Sequence, residues 1–335
     1  MMKRNLNNYT IEEFISYKNS HKKMFTAGPA SLSKENLIGL DSCFGRSDKE
    51  YTKIEERVLN KLKKMAIKDK ISSLQGSGSL ALEIAINNFI YGKVLLINTG
   101  YYSKRLEYMI NFIKQKNSIV QTLKIVNLND LNKINESLDW VLACSVDTSV
   151  GLKLNIKELD ELCKVCKSKL FLDATASFGL EKDHELADII CFSSCKGLFG
   201  LTGASFVAFN DNPQNEVNSF YLNIYTHLER KVTGPYHSIL SLDNVLKNHD
   251  NLKKSVIINK EKFLKLSKDY LIYPNSNQPL LCTAVNGSIM NYDEKSISYK
   301  PRDSQGLDII CHLGEVHLGK KANGNIIEGL YISET

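Results

Sequence analysis

The chain has 335 residues, of which 43% are hydrophobic and 24% are charged, and this length suits one large domain and one small one. The composition excludes a disordered chain, a collagen-like chain and a small protein held together by disulfides. The 43 basic and 37 acidic side chains leave a net charge of +6, which permits contact with small anions and does not indicate nucleic acid.

The N-terminal sequence and the eight cysteines favour a cytoplasmic location. Residues 1–23 contain no apolar run of signal-peptide length and are interpreted as an N-terminal arm. The sequence has no uninterrupted apolar stretch of ~18 residues, so no membrane span is expected. Cys163 and Cys166 form a CxxC on one face of a predicted helix, which favours a structural pair over a metal or redox site, so no metal is expected.

Apolar runs of strand length alternate with helical segments between residues 70 and 210. The predicted strands are Ile71–Leu74, Lys93–Asn98, Ile119–Ile125, Trp140–Ser145, Lys169–Asp173, Asp188–Ser193 and Ala204–Phe209. The predicted helices between them are Leu80–Ile90, Tyr102–Lys114 and Ile156–Lys167. Continuous apolar strands separated by helices predict an α/β fold with a mostly parallel seven-stranded sheet that is covered on both faces.

The pattern changes after about residue 235. Helical periodicity dominates 237–270, and the less regular stretch that follows has short predicted strands at Leu280–Val285 and Gly306–His312. We therefore expect a large domain over 24–240 and a smaller C-terminal α+β domain over 241–335.

A glycine-rich loop, Gly76-Ser77-Gly78-Ser79, joins the first strand of the sheet to the helix that follows. Glycines allow close backbone approach, and the free N–H groups of a helix N-terminus favour a phosphate. The loop also matches G-x-G-x-x-A, but the next strand ends at Asn98 and not at the acidic residue that a dinucleotide site needs. A phosphate site is the main prediction, and a plain helix cap is the alternative.

Asp173 and Lys196 each follow an apolar strand, where open α/β sheets bind ligands. Taken singly, a turn carboxylate and a surface lysine are the ordinary interpretations. Together with the loop, however, they are the parts of a pyridoxal phosphate site. The loop would hold the phosphate, Asp173 would pair with the pyridine nitrogen, and Lys196 would form the Schiff base.

The order of these features resembles the class V (fold-type I) pyridoxal phosphate aminotransferases. The chain is most similar to the branch of 2-aminoethylphosphonate–pyruvate and alanine–glyoxylate (serine–pyruvate) aminotransferases. Further segments similar to this family are Phe25–Pro29, Phe44–Ser47, Asn98–Arg105, Asp147–Gly151 and Val232–Pro235.

The resemblance implies pyridoxal 5′-phosphate as cofactor, Lys196 and Asp173 as catalytic residues, and a homodimer with shared active sites. It implies that Tyr102 covers the cofactor ring, that Thr148 lies near the 3′-oxygen, and that Thr233 reaches the phosphate of the neighbouring subunit. The remaining residues with implied or candidate roles are Ser77, Gly78 and Ser79 for the phosphate and Gly28, Arg46 and Arg302 for the substrate.

The sequence departs from the family near its end, where Ile309 stands in place of the arginine that binds the substrate's acidic group. We expect an aminotransferase that moves an amino group from an aminophosphonate or an alanine- or serine-like donor to a 2-keto acid such as pyruvate or glyoxylate. The alternatives are a lyase or decarboxylase on a phospho- or phosphono-amino acid and a non-catalytic binding protein. A cysteine desulfurase is disfavoured, because Cys195 replaces the histidine that precedes the lysine there.

Overall fold

The structure is a computed structural model that describes residues 9–20, 22–28, 33–42, 45–286, 290–292, 294, 296–303, 306–319 and 330–332. Residues 1–8 and 21 of the predicted arm, Pro29 and Phe44 of the family-like segments, and parts of 241–335 lie outside these ranges. Within the described ranges, no helix is both long and apolar enough to span a membrane.

The helices are α1 (Ile11–Ser20), α2 (Lys34–Ile38), α3 (Lys49–Ala66), α4 (Gly78–Phe89), α5 (Tyr101–Asn117), α6 (Ile156–Cys166), α7 (Ile224–Leu228), α8 (Tyr236–Val245), α9 (His249–Leu266) and α10 (Gly314–His317). The strands are β1 (Lys23–Phe25), β2 (Lys70–Gln75), β3 (Gly92–Asn98), β4 (Val120–Asn127), β5 (Trp140–Cys144), β6 (Val146–Asp147), β7 (Leu152–Lys153), β8 (Lys169–Asp173), β9 (Ile189–Ser193), β10 (Ala204–Phe209), β11 (Cys282–Asn286), β12 (Met290–Tyr292), β13 (Ser296–Ser298), β14 (Leu307–Cys311) and β15 (Leu330–Ile332).

A seven-stranded sheet with the order β2-β10-β9-β8-β5-β3-β4 forms the centre of the fold. Strand β10 is antiparallel to both of its neighbours, and the other pairs are parallel. The carboxyl ends of β2, β3, β5, β8 and β9 therefore meet at one edge, together with the start of β10. The predicted α/β fold with a mostly parallel seven-stranded sheet is confirmed.

Side chains alternate between the two faces of this sheet, and both faces are buried. Leu95 and Ile97 of β3 join the core under α3 and α6, whereas Val94 and Leu96 join the core under α4 and α5. Burial on both faces explains why these strands read as continuous apolar runs. The predicted strands Lys169–Asp173 and Ala204–Phe209 match β8 and β10 at both ends.

The described strands beyond α8 form two-stranded sheets, of which β11 and β14 pack against the long helix α9. Strands β11 and β14 are antiparallel, and β13 pairs in parallel with the N-terminal strand β1. The pairing of β1 with β13 brings a segment that precedes the large sheet next to one that follows α9. The boundary at residues 240 and 241 stays a prediction.

Candidate active site

The edge of the sheet where these strand ends meet opens into a cavity of about 730 Å³. Nearly all of the residues that line it come from the segments that follow β1, β2, β3, β5, β8, β9 and β13 or precede β10. The sequence-predicted residues that line this cavity are Gly28, Ser77, Gly78, Ser79, Tyr102, Thr148, Asp173, Lys196 and Arg302. Residues separated by up to 274 positions are thus brought to one site.

The loop between β2 and α4 presents its backbone to this cavity. Ser77 caps α4 with extended φ and ψ, and its hydroxyl makes no capping hydrogen bond. A Cβ atom added at Gly78 would lie 2.8 Å from Cγ2 and 2.9 Å from Oγ1 of Thr175. Glycine is therefore required by the close approach of this loop to the segment after β8, and free N–H groups remain at the start of the helix.

Asp147 fixes the position of Tyr102 at the start of α5. Its buried carboxylate accepts hydrogen bonds from the Tyr102 backbone N–H at 3.2 Å and from the Thr99 hydroxyl at 3.0 Å. The Ser149 backbone N–H donates to the other oxygen at 3.0 Å. Hydrogen bonds to a charged group in a dry site are strong, so the first turn of α5 is held rigidly against the hairpin β6–β7.

Tyr102 and Thr148 both contact a tyrosine that comes from the C-terminal part of the chain. The hydroxyl of Tyr299 lies 3.2 Å from Thr148 Oγ1 and 3.5 Å from Tyr102 Oη. Burial raises the pKa of the Tyr299 phenol, so this side chain keeps its proton as a neutral hydroxyl. No motif in the sequence pointed to Tyr299, because it lies in a stretch without clear periodicity.

Asp173 lies at the end of β8 and is only 2% exposed. Its Oδ1 accepts a hydrogen bond from the Thr175 backbone N–H at 3.0 Å, and its Oδ2 accepts one from Arg105 Nη2 at 2.8 Å. The role of Arg105 was not predicted. It stands three residues after Tyr102, which places both side chains on one face of α5.

Lys196 lies in the tight turn between β9 and β10, with its Nζ 5.9 Å from the centre of the Tyr102 ring. Two buried histidines hold this turn: His249 Nε2 donates to the Gly197 carbonyl at 2.8 Å, and His317 Nε2 donates to the Lys196 carbonyl at 3.4 Å. Burial lowers the pKa of His317 to about 4, so this histidine is neutral at pH 7. The two consecutive carbonyls of Lys196 and Gly197 are thereby held by histidines from the C-terminal part of the chain.

Arg302 and Lys300 are exposed cations at the cavity wall. Arg302 Nη1 donates to the Tyr101 hydroxyl at 3.1 Å, and its guanidinium lies 5.5 Å from the centre of the Tyr101 ring. The neighbouring Asp303 forms an ion pair with Lys104 at 3.0 Å. These contacts attach the segment 299–303 to the first turn of α5.

Three predicted residues lie away from this cavity. Arg46 is exposed, and its Nη1 donates to the Arg230 carbonyl at 2.7 Å. Thr233 is also exposed. Ile309 is buried in β14 beside Gly151 and does not reach the cavity. Among the described residues, no cluster of histidine, cysteine and acidic side chains has the arrangement of a metal site.

No family model matches the chain. It is 25% identical over 296 residues to the bifunctional phosphonoacetaldehyde hydrolase/aminoethylphosphonate transaminase of Clostridioides difficile, a match that covers 78% of this chain and 46% of that protein. It is 24% identical over 253 residues to the 2-aminoethylphosphonate–pyruvate transaminase of Pseudomonas putida strain F1, with 68% of each protein covered. The chain thus spans between about half and two thirds of the length of these relatives.

A solved structure, the alanine–glyoxylate aminotransferase of a Nostoc species, superposes on this chain with a TM-score of 0.73 at 17% identity. The superposition covers 88% of this chain and 91% of the Nostoc protein. The predicted resemblance to the class V aminotransferases is confirmed, and the chain has the fold-type I architecture.

Proposed function

We propose that this chain is a pyridoxal 5′-phosphate-dependent aminotransferase. It would transfer an amino group from a small amine or amino acid, of the aminophosphonate or alanine/serine type, to a 2-keto acid such as pyruvate or glyoxylate. The observation that supports this most strongly is that Asp173, Lys196 and the loop 77–79 line one cavity with Tyr102. The transaminase names of the curated relatives support it independently.

The polar atoms of the cavity fit this cofactor. Thr175 Oγ1 is buried and has no hydrogen-bond partner among the described residues, and its side chain lines the cavity. Unsatisfied polar atoms in a buried site are costly, and a phosphate offers acceptors that would satisfy them. The residues that would hold the group are those of the loop Ser77–Ser79, with Tyr102 against its ring and Asp173 at its nitrogen.

When bound, pyridoxal phosphate supplies an electrophilic carbonyl and a ring that accepts electrons. In this chain Lys196 Nζ would bind that carbonyl, and after its displacement by the substrate amine it would act as general base on the substrate's α-proton. The ionised carboxylate of Asp173 would keep the ring nitrogen protonated. The hydroxyls of Thr148 and Tyr299 form a hydrogen-bonded neutral pair beside Tyr102.

The charges of the cavity support an anionic substrate. Asp173 is the only carboxylate among the described residues that line it, and Arg105 already neutralises that carboxylate. The cations Lys300 and Arg302 remain, on the segment attached to Tyr101. They would bind the substrate's acidic group in place of the arginine that Ile309 replaces, and Gly28 also lines this cavity.

A homodimer is part of the proposal. Thr233 and Arg46 are exposed on this chain, and a symmetric dimer would bring such residues to the partner's cavity. The cytoplasmic location predicted from the cysteines stays a prediction.

The test is to add pyridoxal phosphate to the purified protein, reduce with borohydride and locate the labelled lysine by peptide mass spectrometry. We expect the label on Lys196 and its loss in Lys196→Ala. Lys260 provides a matched control, because burial lowers its pKa to about 8 and it lies outside the cavity. Lys260→Ala should leave the labelling unchanged. A label on Lys260, or none on Lys196, would contradict the proposal.

A further inference from the structure

Arg105 contacts three separate parts of the cavity at once. Its Nη2 donates to Asp173 Oδ2 at 2.8 Å, and its Nη1 donates to Ser79 Oγ at 3.0 Å. Its guanidinium carbon lies 4.9 Å from the centre of the Tyr102 ring. One side chain therefore joins the end of β8, the first turn of α4 and the first turn of α5.

Because the contact between Arg105 and Asp173 is largely buried, we expect its loss to be costly in free energy. The Asp173 side chain is 2% exposed and the Arg105 side chain is 21% exposed. A buried carboxylate without a cation is strongly destabilised, so Asp173 depends on a partner in this site. The guanidinium group is planar and holds its N–H donors in a fixed arrangement, so it can donate to two acceptors at a matching separation. A lysine ammonium binds two such acceptors less well.

We propose that Arg105 is a positioning residue that couples the carboxylate of Asp173 to the loop at Ser79. The inference rests on the proposed function, because it concerns the same cofactor site. Arg105 would hold the Asp173 carboxylate for the ring nitrogen and the Ser79 hydroxyl for the phosphate. One planar side chain thereby sets the separation between the Asp173 carboxylate and the Ser79 hydroxyl.

A positioning role of Arg105 and a purely structural ion pair predict different changes in ligand affinity. Pyridoxal has the ring nitrogen and lacks the phosphate, whereas pyridoxal phosphate has both. Loss of Arg105 should weaken the binding of both ligands, because Asp173 loses its alignment. It should weaken pyridoxal phosphate more, because the alignment of Ser79 is lost as well.

The experiment measures dissociation constants of pyridoxal phosphate and of pyridoxal, by absorbance or fluorescence titration, for the wild-type protein and Arg105→Met. We expect affinity for pyridoxal phosphate to fall at least tenfold and affinity for pyridoxal to fall by a smaller factor. Arg105→Lys keeps the charge and should bind pyridoxal phosphate with intermediate affinity. It also provides the test if Arg105→Met does not fold.

The matched control is Arg57→Met. Arg57 forms the same type of ion pair with Asp243, through Nε and Nη2 at 2.7 Å each, outside the cavity. This variant should bind both ligands as the wild type does. Equal losses for the two ligands in the Arg105 variants, or dissociation constants within twofold of wild type, would overturn the inference. A wild-type protein without a label on Lys196 would instead overturn the proposed function.

Discussion

At the scale of single residues, the site combines one buried charge pair with exposed cations. Arg105 and Asp173 neutralise each other, so neither is available to an incoming anion. Arg302 is exposed, and it contacts the hydroxyl and the ring of Tyr101. Under the proposed function, this division of charge would leave cofactor positioning to the interior of the cavity and substrate recognition to its wall.

Replacing Arg302 by Met should raise KM for an anionic amino donor about tenfold, because a charge-assisted hydrogen bond contributes roughly 1.5 kcal/mol or more. The value of kcat should change by less than about twofold, since Arg302 does not contact Lys196 or Asp173 in the described structure. Steady-state kinetics with the wild type, this variant and Arg57→Met would measure the difference. An unchanged KM would show that Arg302 does not bind the substrate.

At the scale of secondary-structure elements, the sequence was most informative where strands are buried on both faces. The bounds of β8 and β10 were predictable because apolar runs end at polar turn residues. The order of the strands was not predictable in this way, since an apolar run does not identify its neighbour. Asp173 and Lys196 were predicted as residues at strand ends because the apolar runs of β8 and β9 show where these strands end.

Arg105 and Tyr299 were missed for different physical reasons. Arg105 lies in a segment whose similarity to the family was recognised, but its partner Asp173 lies on another strand, and only the pairing of β3, β5 and β8 brings them together. Tyr299 follows the three-residue strand β13, which pairs with β1 at the other end of the chain. Contacts between such distant segments leave no periodic signal in the sequence.

The attachment of α5 to the hairpin β6–β7 depends on Asp147. Asp147→Asn keeps the shape of the side chain, but it removes the charge and presents an NH₂ group to one of the donors Thr99, Tyr102 or Ser149. We expect the free energy of unfolding to fall by about 2 kcal/mol. We also expect weaker binding of pyridoxal phosphate, since Tyr102 loses its anchor.

Urea denaturation and a cofactor titration would measure these two effects. Asp130→Asn is the control, because Asp130 pairs with Lys133 on the surface and should change stability by less than about 0.5 kcal/mol. A variant of Asp147 with the stability of the wild type would show that the carboxylate is not the anchor of α5.

At the scale of the whole molecule, three of the buried histidines make hydrogen bonds inside the fold and have strongly lowered pKa values. His312 lies after β14 and contacts Thr283, His317 contacts the Lys196 turn, and His184 contacts Ser177. Burial lowers the pKa of His184 and of His317 to about 4 and that of His312 to about 3. The folded state therefore keeps these three side chains neutral at pH values where the unfolded chain binds protons.

The stability of the protein should fall as the pH decreases from about 6.5 towards 4. The folded pKa of each histidine is below its unfolded value near 6.5, so its contribution is fully present above that value and is lost below it. A decrease in the histidine pKa to about 4 on folding corresponds to a loss of unfolding free energy on the order of 3 kcal/mol per buried histidine, reached when the folded state is also protonated. His184→Asn should reduce the slope of stability against pH in urea denaturation.

His237→Asn is the control for this slope, since His237 is exposed and the variant should keep the wild-type dependence. The carboxylates that titrate in the same range are common to both variants. Identical slopes for His184→Asn and the wild type would contradict the assignment of acid sensitivity to the buried histidine.

The central claim is that the cavity containing Lys196 and Asp173 performs transamination, and a half-reaction tests it most directly. The protein loaded with pyridoxal phosphate is mixed with 2-aminoethylphosphonate, alanine or serine in the absence of a keto acid, and the released cofactor is quantified by chromatography. We predict conversion of the bound cofactor to pyridoxamine phosphate by at least one donor, and its return to pyridoxal phosphate when pyruvate or glyoxylate is added. Turnover of these amines without any pyridoxamine phosphate would contradict the account and indicate a lyase or decarboxylase, and no turnover despite cofactor binding would contradict catalysis itself.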